Sequence, residues 1–273
     1  MSRYSRSNFI ERTITSLVSA SEYAAAAEQT AANGGALQGI DPRVKVAGVL
    51  SLIVAVAAAG HLRVVAGLFV LALALAVLSR VSLSKLAGWV WMPVLFFTGT
   101  IAAPAIFLTP GTPVFGLGGI PVTAQGIRSA AFLIGRAETA ATFSTLLVLT
   151  TPWPCVLKAL RTFRCPIVLV AVLGMTYRYI FVMMQTAFDM FESRKSRTVG
   201  ILAPADRRRL AASAVGVLLS KSFQLSGDVH LAMQSRGFRG EVYVLDDFRA
   251  RTADWFWLSG ALLLAAAALW WGR

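Results

Sequence analysis

The chain has 273 residues, 56% of them hydrophobic and only 14% charged, with a mean hydropathy of +0.66. Soluble domains carry about 25% charged residues, so the composition excludes a soluble globular fold and points to an integral membrane protein. The net charge of +13 fits basic residues gathered on the cytoplasmic side against anionic head groups better than it fits nucleic acid.

Several apolar runs approach the ~20 residues that cross a bilayer. They are continuous rather than alternating, which selects helices over a barrel. Cys155 and Cys165 fit no CxxC pattern, and His61 and His230 add too little for a metal cluster. The first 40 residues lack the basic start, apolar core and cleavage site of a secretory signal.

Taken in order, residues 1–40 are polar and alanine-rich. Ile10, Ile14 and Leu17 sit at helical spacing, and Asn33-Gly34-Gly35 stops the pattern. A surface helix packed on the membrane domain is expected. Asp41-Pro42-Arg43 then opens the first span, with Asp as N-cap and Pro at the first helical position. Arg43 and Lys45 are expected to snorkel to head groups. Val44–Ala59 is a short apolar run, Gly60-His61-Leu62-Arg63 a tight turn, and Val64–Leu78 a return. The two form a hairpin in a thinned bilayer.

Leu86–Leu108 reads as a full span, with Trp89 and Trp91 as interfacial aromatics and Pro93 and Pro104 as kinks. Residues 109–126 carry no charge and are rich in turn formers, which predicts an exterior loop. Ile127–Thr151 returns with Arg136 and Glu138 inside the apolar run. Such charges bind a substrate ion or serve the fold. Residues two apart on a helix do not face each other, which favours the structural role.

The character changes at residue 152. Residues 152–254 hold 15 Lys and Arg against eight Asp and Glu. Pro152-Trp153-Pro154 breaks the helix, Cys155–Phe163 is amphipathic, and Pro166 opens a long helix ending in Ser193-Arg194-Lys195-Ser196-Arg197. Ile167–Met184 is long enough to cross, with Arg178 as its one charge. Crossing would export the clusters at 194–197 and 207–209, against the positive-inside rule. The helix is therefore read as running along the membrane underside. After Ala203-Pro204-Ala205-Asp206, a further helix has a packing stripe of Val215, Leu218, Ser222, Leu225, Val229 and Ala232. Gly237 ends it. Residues 238–254 are a polar linker, and Trp255–Trp271 is a last span.

The reading is an all-α integral membrane protein of about five transmembrane helices plus a cytoplasmic coupling domain of long amphipathic helices. Its parts are an N-terminal cytoplasmic segment (1–40), a four-helix membrane domain (41–151), coupling helices (152–254) and a final transmembrane helix (255–273). No phosphate-binding loop, nucleophile elbow or zinc motif occurs, so an enzyme is not expected. Instead, Ser196-Arg197-Thr198 and Ser235-Arg236-Gly237 each set an arginine beside small residues near a helix end. Small neighbours admit a partner's backbone, and the guanidinium offers a planar fork of donors. Two such ends suit two equivalent grooves on a dimeric partner.

With these residues in view, the chain resembles the transmembrane T component of energy-coupling-factor importers, and within them the CbiQ type of cobalt transporters. The likeness rests on Asp41 to Lys45, Thr150-Thr151-Pro152, Tyr177-Arg178-Tyr179-Ile180, Ser193 to Arg197 and Ala232 to Phe238. It implies a scaffold in the bacterial inner membrane that joins two ABC-type ATPase subunits to a substrate-capture membrane subunit. It further implies that ATP sits on the partners, with no cofactor or metal on this chain. In this family two Ala-Arg-Gly motifs dock into the ATPases. Ser235, Arg236 and Gly237 match the second. Ser196 and Arg197 stand for the first, without its Ala and Gly, so Arg194 shares the candidacy. Nickel or a vitamin is the alternative cargo. A self-sufficient channel or secondary transporter is the alternative class, and the charged module and lack of a repeat weigh against it.

Overall fold

The computed structural model describes residues 9–32, 35, 37–109, 112–117, 120–197, 203–238 and 252–272. They pack as two units, residues 27–159 with 247–273 and residues 1–26 with 160–246. The larger unit is built on α2 (Pro42–Ala58). As the sequence predicts, the Asp41 carboxylate accepts the Arg43 N–H at 2.9 Å, and Pro42 needs no donor partner there.

Around α2 stand α3 (Leu62–Leu78), α6 (Ala124–Thr150) and α10 (Thr252–Trp271). Val49, Leu52 and Val56 of α2, Leu68 and Ala72 of α3, Phe143 of α6, and Ala261, Ala265 and Ala268 of α10 form one buried cluster. Close approach of α10 depends on glycine. A Cβ at Gly48 would lie inside the indole of Trp257, and one at Gly60 would strike the Gly272 carbonyl. No side chain with a Cβ fits either seam.

A second cluster joins Ala76, Val81, Leu86 and Leu146. From Leu86 the chain continues from α4 (Leu83–Leu86) through a π-helical turn, Ala87–Trp91, into α5 (Met92–Leu108). Pro93 lacks the N–H of an α-helical bond, and the wider turn just before it accommodates that loss. Trp91 was expected at the membrane interface. Instead it is half-buried, donating to Thr142 Oγ1 of α6 at 3.1 Å and facing Phe69 at 5.7 Å, while Trp89 stays 63% exposed. Within the expected loop, β1 (Pro113–Leu117) and β2 (Ile120–Thr123) pair antiparallel, Phe115 opposite Val122. Thr123 then caps α6, its hydroxyl accepting the Gly126 N–H at 3.1 Å.

From α6 the chain passes through α7 (Trp153–Thr162) to the smaller unit. There α8 (Ile167–Arg197) and α9 (Pro204–Ser235) pack with α1 (Phe9–Ala32). Ile10, with Ile14 and Leu17 beside it, meets Phe191 of α8 and Ala214 of α9. The apolar stripe of α1 thus packs on α8 and α9, and not on the membrane domain that the sequence predicts for it. The α9 stripe keeps Leu218, Ser222, Leu225 and Val229 half-buried. Its ends differ from expectation: Val215 is 64% exposed and Ala232 is exposed, while Ala214 is buried and Met233 half-buried.

Four helices among the described residues are long and apolar enough to cross a membrane: the run from Ala87 to Pro104, α6, α8 and the Asp254–Trp271 part of α10. At 17 residues each, α2 and α3 reach only ~26 Å of the ~30 Å hydrocarbon core. Apart from its small hairpin, the chain is an all-α, multi-pass membrane protein. The linker residues 239–251, Thr198 and Arg273 lie outside the described residues.

Candidate functional site

The two arginine motifs fall at helix ends, as their spacing predicts. At the end of α9, Arg236 is the C-cap and Gly237 has φ +80°. The Phe238 N–H bonds the Met233 carbonyl at 3.1 Å, and the Gly237 N–H bonds the Gln234 carbonyl at 2.9 Å. This is a Schellman cap, which requires a left-handed residue after the helix and so favours glycine. The Ser235 hydroxyl turns back to the Ala232 carbonyl at 2.9 Å. The cap consumes the local polar groups and leaves the Arg236 side chain exposed.

At the end of α8 the three basic residues differ. Arg194 is half-buried and donates to Ser213 Oγ of α9 at 3.2 Å. Lys195 pairs with Glu11 of α1 at 3.7 Å, both about half exposed. Arg197 is exposed and, among the described residues, has no side-chain partner. The Ser196 hydroxyl bonds the Ser193 carbonyl at 2.8 Å. Arg194 therefore holds α8 to α9, which leaves Arg197 as the arginine presented outward.

The two helices run in opposite senses. The end of α8 lies against the start of α9, through Arg194–Ser213 and Phe191–Ala214. The start of α8 shares a groove of about 570 Å³ with the end of α9, lined by Met175, Tyr179, Met183, Leu225, Val229 and Met233 among others. From Ser213 to Arg236 the helix rises ~35 Å. The outward arginines therefore sit at opposite ends of one helix pair.

Residues that sequence reasoning cast differently lie in the membrane unit. Lys45 was expected to snorkel. Instead it is 1% exposed, donating to the Thr150 carbonyl at 3.0 Å and to Thr151 Oγ1 at 3.1 Å. It ties the start of α2 to the carbonyl end of α6, where a cation is favoured. Asp41-Pro42-Arg43-Val44-Lys45 and Thr150-Thr151-Pro152, far apart in sequence, are thereby one structural joint. Arg136 donates to the Ala59 carbonyl at the end of α2 and lies over the Phe132 ring, 4.2 Å from its centre. That is the structural role its spacing from Glu138 favours. Among the described residues no group of three or more His, Cys, Asp and Glu could hold a metal.

Residues 35–244 match the CbiQ family of cobalt transport proteins. The chain is 30% identical over 161 residues to the cobalt transport protein CbiQ of Rhodobacter capsulatus, covering 56% of this chain and 64% of that one. It is 26% identical over 247 residues to the energy-coupling factor transporter transmembrane protein EcfT of Listeria innocua, covering 85% and 91%. It is 30% identical over 124 residues to the nickel permease LarQ of Lactiplantibacillus plantarum, covering 45% and 44%. The chain belongs to the CbiQ family.

Proposed function

We propose that this member of the CbiQ family is the transmembrane scaffold of an ATP-driven cobalt importer in the bacterial inner membrane. It links two ABC-type ATPase subunits to a substrate-capture membrane subunit. The observation that carries the reading is the pair of outward arginines, Arg197 and Arg236, at opposite ends of the antiparallel α8–α9 pair. Two ATPases side by side need two contacts well apart, and ~35 Å of rigid helix supplies that. Small residues at each end, Ser196 and Ser235 with Gly237, admit a partner's backbone beside the guanidinium.

The mechanism is mechanical. ATP closes the two ATPases on each other, and the arginine-held ends of α8 and α9 move with them. Displacement of the helix pair reaches the capture subunit and reorients it. The chain itself holds neither nucleotide nor metal and catalyses nothing. Only a ligand state that the ATPases distinguish shifts such an equilibrium, so the driving energy belongs to them.

We further place α8 on the cytoplasmic side rather than across the membrane. Its composition permits crossing, but α9 runs beside it from Ser213 to Met233. Arg207, Arg208, Arg209, Lys221 and Asp228 of α9 are too costly to carry across with it.

Cobalt is the favoured cargo, on the family match and the CbiQ relative. Nickel is the second reading, on the likeness to a nickel permease. The test of the scaffold is Arg236→Glu in the co-expressed complex. A charge reversal at a buried interfacial contact costs about 2–5 kcal/mol, so the ATPases should no longer co-purify and metal uptake should stop. An intact complex with full uptake would sink the scaffold reading. Uptake by the unaltered complex with cobalt and nickel in competition identifies the cargo.

A further inference from the structure

The membrane unit carries a second feature that the coupling role does not use. Along the outer side of α3 and α10 runs an apolar groove of about 850 Å³. Its walls are Val64, Gly67, Leu71 and Ala74 of α3 with Leu264 and Ala267 of α10. At one end the lining turns polar, with His61 as the N-cap of α3, Arg63 in its first turn and Trp271 at the end of α10. The same end is fixed by backbone contact, since Gly60 and Gly272 pack without room for a Cβ on either. The basic mouth is therefore held beside the apolar trough, not carried on a loose end.

We propose that this groove binds one anionic phospholipid, its acyl chain along α3 and α10 and its head-group phosphate at Arg63 and His61. Three observations carry this. First, Arg63 is exposed and has no side-chain partner among the described residues, while the rest of the lining offers little polarity. An anion at the mouth with hydrocarbon below is the complementary ligand. Second, the α3 wall from Arg63 to Ala74 rises ~16 Å, which matches one leaflet, half of a hydrocarbon core of ~30 Å. A partner's transmembrane helix would need a trough running the whole depth. Third, Trp271 stands at the mouth, where an aromatic ring sits at head-group level.

The full-length chain in mild detergent, incubated with palmitoyl-oleoyl phosphatidylglycerol or the matching phosphatidylcholine and read by native mass spectrometry, tests the proposal. The unaltered protein should retain one phosphatidylglycerol about tenfold in preference to phosphatidylcholine. Arg63→Gln should abolish that preference. Gly67→Leu should lower retention of both lipids about tenfold. A Cβ at Gly67 meets nothing within 4 Å, so a larger side chain there extends into the groove, and an unchanged melting temperature verifies that the fold is kept. Glycerol 3-phosphate, which has the phosphate but no chains, should not compete. Equal retention of the two lipids by the unaltered protein, indifference to Gly67→Leu, or competition by glycerol 3-phosphate would each overturn the proposal. So would a crosslink from Ala267→Cys, with Cys155 and Cys165 replaced by Ala, to another protein chain of the assembled complex.

Discussion

Gly237 shows how far one residue can govern a contact it does not make. Its left-handed backbone, φ +80°, closes the cap that sets Arg236 at the end of α9. Alanine there is strained by about 1–2 kcal/mol, and the last turn should fray. We expect Gly237→Ala to weaken ATPase binding by about tenfold, since each 1.4 kcal/mol is a decade, with the arginine untouched. Gly237→Asn should bind nearly as the unaltered protein does, because asparagine tolerates the left-handed region. Immobilised ATPase and purified chain in a binding assay separate the two variants. Equal loss in both would show that the side chain, not the backbone, matters. This cap was legible in the sequence, because glycine after a helix with Ser-Arg before it has one common use. The choice between Arg194 and Arg197 was not. It turns on Ser213, nineteen residues beyond Arg194, and only the antiparallel return of α9 brings that hydroxyl near.

At the scale of elements, burial decided what spacing alone left open. Lys45 reads as a snorkelling lysine because it lies one turn into a span. Nothing local reveals that the end of α6 arrives over it. Its ammonium satisfies the Thr150 carbonyl, one of the groups left over at a helix end. Lys45→Met keeps the volume but orphans that carbonyl, a loss of about 1–3 kcal/mol. The purified protein should melt at a lower temperature, with the helix content of its circular dichroism spectrum unchanged below the transition. A melting temperature equal to that of the unaltered chain would remove Lys45 from the joint. The α9 stripe is the opposite case. Its middle followed from alternating three- and four-residue spacing, and its ends slipped by one residue because the neighbouring surfaces, Phe191 at one end and Met175 at the other, fix which face is covered. The π-helical turn and the small hairpin had no periodic signal at all.

At the scale of the molecule, the open quantity is the membrane side of each part. Of the four helices long enough to cross, α8 carries the most apolar window, and hydropathy alone would send it across. Charge opposes that, because crossing would carry Arg194, Lys195, Arg197 and the Arg207–Arg209 cluster to the exterior. The desolvation cost of the α9 charges far exceeds what the exposed faces of Val168, Val172 and Ile180 recover in lipid. Single cysteines in a background of Cys155→Ala and Cys165→Ala resolve the matter with an impermeant thiol reagent. Gly116→Cys in β1 should react in intact cells, and Arg208→Cys should react only after the membrane is opened. If both react from outside, α8 crosses, the outward arginines face away from any cytoplasmic ATPase, and the coupling role fails with them. If Gly116→Cys and Arg208→Cys are both silent until lysis, the hairpin is cytoplasmic, and because α6 crosses between it and α8, α8 must cross as well and the topology is overturned. The expected pattern leaves Arg197 and Arg236 on the cytoplasmic side, at the two ends of the α8–α9 pair.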